Sequence, residues 1–121
     1  GVGLTTFSPL YFGILTGKYN DGIPAGSRAT LENMSWMQDN LTPERLEIVK
    51  DLGDIAADLG ISLAQVAIAW MLRRKVVSSV ITGATKVSQL EDNVAAAAAV
   101  PLLTEEVLVQ IEDIFGEYSE E

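Results

Sequence analysis

Apolar residues fall into two patterns along this chain: short continuous runs that suit buried strands, and runs recurring every three or four positions that suit helices. Residues 3–7 predict a short strand that stops at Ser8 and Pro9, because proline has no N–H to continue a ladder. Residues 13–27 contain Gly17, Gly22, Pro24 and Gly26, a spacing that predicts a long connection without a regular element. A helix is then well marked, with Thr42 as N-cap, Pro43 in its first position and Leu41 placed to staple against Leu46. Leu46, Val49, Ile55, Ala56 and Leu59 give it an apolar face, and Gly60 stops it. Ser62 with Gln65 predicts a capping box opening a second helix, whose basic end is Arg73, Arg74 and Lys75.

Residues 76–81 are mostly β-branched and apolar, which predicts a strand covered on both faces, as in a parallel sheet. A helix follows over about residues 86–99, with the run 95–99 of small side chains suited to close packing and Pro101 ending the element. Thr104 caps a last helix whose Val107, Ile111, Ile114 and Phe115 face inward, before Gly116 and an acidic tail. Two strands separated by helices imply a βαβ connection. Two strands alone make a marginal sheet, so the chain reads as the later part of a larger α/β barrel or open sheet. The start at Gly1 without an initiator methionine suggests a processed protein or an excised piece.

The turn at Gly83 carries the candidate chemistry. A strand that breaks at glycine and turns into a helix exposes backbone N–H groups and the positive end of the helix dipole to an anion. Thr85 and Gln89 add side-chain donors there. The net charge of −9 argues against nucleic acid or an anionic membrane as partner, although Lys18, Arg28 and Lys86 near turns can concentrate positive charge locally. At 48% hydrophobic and 21% charged, with mean hydropathy +0.23, the 121 residues suit at most one globular domain. No apolar run is long enough to span a bilayer, no signal peptide is expected, and the inferred location is cytoplasmic. The sequence has no histidine and no cysteine, so the common proton-transfer and nucleophilic groups are scarce, and no catalytic or metal-ligating residue is assigned.

Four linked motifs, FSPLYFGILTGKY, GIPAGSR, LAQVAIAWMLRR and VVSSVITGATKVSQLEDN, resemble in order and spacing the C-terminal part of aldo-keto reductases. The closest likeness is to the group that includes voltage-gated potassium channel β-subunits. The resemblance implies a (β/α)₈ barrel, of which residues 1–121 form the C-terminal portion with two parallel strands, the seventh and eighth, and about four helices. It also implies an NADP(H) site at the C-terminal ends of the strands, and a carbonyl substrate reduced by hydride transfer in the full-length protein. By position, Phe7, Ser8, Pro9, Leu10, Tyr11 and Phe12 match the segment lining the cofactor pyrophosphate and nearby ribose. Lys18 matches a lysine that neutralises the pyrophosphate, and Arg28 an arginine near the 2′-phosphate. Gly83, Thr85, Gln89, Asp92 and Asn93 match the adenosine end, with Thr85 and Gln89 toward the 2′-phosphate and Asp92 and Asn93 toward the adenine edge.

Many family members carry arginine where Gln89 stands, whereas the channel-subunit group shares the glutamine. The family's catalytic aspartate, tyrosine, lysine and histidine belong to earlier strands and loops and have no match here; Tyr11, Tyr19 and Tyr118 are not in the acid position. Three readings follow: a cofactor-binding part of a reductase, a regulatory module with an ion-channel partner, and a non-catalytic fragment that folds by self-association.

Overall fold

Parallel strands cannot be joined by a hairpin, and the chain between this pair forms the required crossover. In the computed structural model, which describes residues 1–116, strand β1 (Leu4–Phe7) pairs with β2 (Val77–Ile81) in parallel. Thr5 sits opposite Ser79, Thr6 opposite Val80 and Phe7 opposite Ile81, with a register shift between Leu4 and Thr5. The crossover contains helices α1 (Trp36–Asn40), α2 (Pro43–Leu59) and α3 (Leu63–Leu72), and α4 (Val87–Ala99) and α5 (Glu105–Gly116) follow β2. The acidic tail, residues 117–121 with Tyr118, lies outside the described residues. Two parallel strands with flanking helices are the mixed α/β arrangement of part of a (β/α)₈ barrel.

The helix ends follow the sequence closely. The Thr42 hydroxyl accepts the Arg45 N–H at 3.3 Å, and Gly60, at φ 72°, closes α2 by donating its N–H to the carbonyls of Ala56 and Ala57. Both bonds of the Ser62 and Gln65 capping box are formed. Helix α3 is shorter than expected and ends at Leu72. Arg73 takes the C-cap position, stacks on the Trp70 ring at 4.1 Å, and donates a hydrogen bond to the Trp70 carbonyl. Burial first, and then the neighbouring Arg74, hold the Arg73 guanidinium below its ordinary value, with Glu112 opposing.

Two further expectations change. The connection after β1 is not wholly irregular, because Tyr11–Thr16 forms a 3₁₀ segment in which Phe12 and Gly13 take positive φ. Pro101 does not simply end α4 but sits inside a 3₁₀ turn, Val100–Leu102, that leads toward α5.

The core lies between the helices and the long connection rather than within the sheet. Tyr19 from that connection and Met37 from α1 are fully buried, and Val49, Leu52, Ile55, Leu63, Val66 and Ile111 from α2, α3 and α5 join them in the cluster. Phe115, expected to face inward, is instead exposed at the rim of an apolar groove. The expectation of a strand covered on both faces holds for one face only. Thr6 and Val80 are half-buried, whereas Phe7 and Ile81 are 76% and 56% exposed. Side chains alternate along a strand, so the open face is the one that other strands close in a complete barrel.

Helix α4 packs on α3 with Ala96 fully buried and Ala99 nearly so. Ala96→Leu adds volume to a filled contact and is expected to cost about 1–3 kcal/mol. The exposed Ala95→Leu should stay near wild type, and urea midpoints for the two variants compare them.

Candidate functional site

Because β1 and β2 are parallel and end together at Phe7 and Ile81, the segments that leave them emerge from one end of the sheet. Ser8 leaves β1 with φ 54°, and its carbonyl accepts the Tyr11 N–H at 3.1 Å, closing a tight turn. Pro9 is buried, but its ring lines the apolar groove of about 240 Å³ shared with Leu15, Leu63, Val66 and Trp70. The half-buried Leu10 accepts the N–H groups of Gly13 and Leu15 through its carbonyl. Tyr11 and Phe12 keep φ at 47° and 58°, an uncommon region for bulky residues, and side-chain contacts accompany it. The Tyr11 hydroxyl reaches Asn40 Oδ1 at 3.4 Å, and the Phe12 ring meets Trp36 edge-on at 5.1 Å. Trp36 and Asn40, which nothing local in the sequence singled out, are therefore supports of this loop.

The two cations of the long connection are placed differently. Lys18 folds back on the loop, with Nζ 5.3 Å from the Tyr19 ring centroid and its chain lying over Gly13. A Cβ at Gly13 would come 2.6 Å from Lys18 Cε, the movable end of that side chain, so it is φ 97° rather than the contact that favours glycine there. Arg28 crosses to the other strand end. A Cβ built on Gly83 would stand 4.0 Å from an Arg28 guanidinium nitrogen, so the cation and the turn are neighbours across 55 residues of chain.

Beyond Gly83 the chain is held by its own side chains. Lys86 is the N-cap of α4 but forms no side-chain cap. Instead Gln89 Oε1 accepts both the Thr85 N–H at 2.9 Å and the Thr85 hydroxyl at 3.1 Å. Thr85 and Gln89 are therefore brought together, and the first turn of α4 is tied to the turn before it. Asp92 and Asn93 face elsewhere. Asp92 Oδ2 accepts the Ser62 hydroxyl at 2.7 Å, and its carbonyl accepts Gln65 Nε2 at 3.1 Å. Asn93, 7% exposed, lines a cleft of about 200 Å³ with Ile68, Leu72, Val80 and Thr82. The predicted residues thus form four groups: Ser8 to Phe12 with Lys18 beside the loop, Arg28 with Gly83 at the turn, Thr85 with Gln89 at the start of α4, and Asp92 with Asn93 on the side of α4 toward α3.

The family comparison fits this arrangement. A family model described as "Aldo/keto reductase family" matches residues 1–115. The chain belongs to that family. Curated relatives named "Probable voltage-gated potassium channel subunit beta" are 51% identical in Arabidopsis thaliana and 52% identical in Oryza sativa subsp. japonica, each over 116 residues. These matches cover 94% of this chain and 35% of each relative, so the chain spans about a third of their length. The family generally uses NAD(P)H, and membership implies oxidoreductase chemistry. Among the described residues, no single helix is long and apolar enough to cross a membrane.

Within this aldo/keto reductase segment, the Thr85 amide owes its in-chain hydrogen bond to Gln89. Gln89→Leu should speed exchange of the Thr85 amide hydrogen while leaving the Val80 amide slow, as NMR-detected exchange would report. Equal Thr85 rates in both proteins would mean that the bond does not persist in solution.

Proposed function

We propose that this chain, residues 1–121, is the C-terminal portion of an NADPH-dependent aldo/keto reductase and supplies the pyrophosphate and adenosine side of its cofactor site. One observation carries the reading: the Arg28 guanidinium stands beside the Gly83 turn, where a strand gives way to the start of α4. A cation at a strand-to-helix turn suits a phosphate, because charge-assisted bonds and helix N–H groups act on the same oxygens. Thr85 and Gln89 lie next in the chain and offer a hydroxyl and a carboxamide to the 2′-phosphate. Lys18, beside the loop that follows β1, serves the pyrophosphate, with Ser8 and the turn N–H groups as further donors. Leu10, Tyr11 and Phe12 form the apolar side of that passage, and Asp92 and Asn93 serve the adenine.

The cofactor supplies the hydride. Transfer to a carbonyl also needs a proton donor at the developing alkoxide, and the acid that the family uses has no counterpart in this sequence. In the full-length protein, aldehydes and ketones are the substrates, and upstream residues provide the acid.

The relatives' names favour a second reading, in which the same fold docks on a voltage-gated potassium channel as a cytoplasmic regulatory subunit. Co-purification of the full-length protein with such a channel from its own source supports it, and loss of the pair at moderate salt counts against it. The exposed Phe7 and Ile81 face supports a third feature, self-association of the 121-residue chain, which light scattering reads as a mass above the 13.0 kDa monomer.

Two outcomes test the main reading. In a fluorescence titration, Lys18→Ala and Arg28→Ala should each weaken NADPH binding by about tenfold, the loss expected for one charge-assisted contact. Unchanged binding in both would leave them as surface charges. The purified chain should show no NADPH-dependent reduction of an aromatic aldehyde above blank, and robust turnover would overturn the assignment of the acid to upstream residues.

A further inference from the structure

Asp92 does not stand alone on α4. Its carboxylate is joined to the N-cap of a different helix, 30 positions earlier, by the Ser62 hydroxyl that donates to Oδ2 at 2.7 Å. The same hydroxyl accepts the Gln65 N–H at 3.1 Å as the N-cap of α3, and the Gln65 side-chain oxygen accepts the Ser62 N–H in return at 3.2 Å. Gln65 Nε2 then donates to the Asp92 carbonyl at 3.1 Å. Backbone and carboxylate of Asp92 are thus both fixed by one capping box, at a part-buried junction where α3 and α4 pack together.

We propose that Ser62 is a positioning residue for the adenosine end of the cofactor site, acting through Asp92. The inference rests on the cofactor reading above. A free carboxylate on a helix surface samples several rotamers, and each immobilised rotamer carries an entropy cost when a ligand selects it. Ser62 removes that cost beforehand by taking Oδ2, which leaves Oδ1 as the acceptor for a donor such as the exocyclic amine of adenine. The N-cap therefore has two duties: it satisfies an orphan N–H of α3 and it aims a carboxylate of α4.

The decisive probe is recognition of the adenine amine. NADPH and its reduced hypoxanthine analogue, which carries a carbonyl in place of that amine, are titrated against the full chain. Ser62→Gly keeps most of the N-cap preference while losing the hydroxyl, and Ser62→Thr retains it. Wild type should bind NADPH more tightly than the analogue, and Ser62→Gly should reduce that ratio by roughly two- to tenfold, the scale of immobilising one side chain. Ser62→Thr should restore the ratio. A ratio unchanged in Ser62→Gly overturns the positioning role while the cofactor site stands. Equal affinity of wild type for both dinucleotides overturns it together with the assignment of Asp92 to adenine. Circular dichroism of each variant separates these results from loss of fold, since unfolding abolishes both affinities rather than their ratio.

Discussion

Everything at the candidate site depends on the parallel pairing of β1 with β2. Parallel pairing forces a crossover, and a crossover of this length carries the long connection, α2 and α3 around the sheet before the chain returns. The two strands then end together at Phe7 and Ile81, and the loops beyond them, far apart in sequence, leave from the same edge. Barrels of alternating strands and helices place ligands at that end, because loop length and composition vary there without disturbing the strands. The pairing also explains the exposed face. With two strands only, Phe7 and Ile81 have no opposite layer, and the helices cover just the side of Thr6 and Val80.

A second junction, between α3 and α4, sets how firmly the turn is held. Ala96 and Ala99 allow the helices to approach closely, and Asp92 is bound to the Ser62 and Gln65 cap at the same interface. The start of α4 is fixed from its other side by the Thr85 and Gln89 pair. Rigid elements locate binding groups more accurately than loops do, and here the polar residues of α4 sit on such an element while Lys18 and Arg28 come from the connection. The Gln89 carboxamide is engaged within the chain, so a phosphate at Thr85 has to share or displace that bond.

Much of the fold could be read from the sequence because its signals are local. Thr42 with Pro43, Ser62 with Gln65, and Gly60 each mark a helix end through the chemistry of neighbouring N–H and carbonyl groups, and the structure forms every one. The family likeness was legible in the same way, from linked motifs, and the family match over residues 1–115 agrees with it. What the sequence did not reveal is long-range. Nothing near Asp92 announces Ser62, nothing near Phe12 announces Trp36, and only folding brings Arg28 to Gly83. The apolar run 76–81 misled about coverage, because β-branched residues report a preference for strands and not how many neighbours the sheet has.

The central claim is that the Gly83 turn and Arg28 bind the phosphate end of a nicotinamide cofactor. Titration of the isotope-labelled chain with 2′,5′-ADP, followed by backbone NMR, tests that claim without calling on the reactive ring or on any upstream residue. Saturable shifts confined to Gly83, Thr85, Gln89 and the Arg28 segment, and much weaker shifts with 5′-AMP, are the predicted result. Equal shifts with both nucleotides, or shifts that avoid this turn, would contradict it.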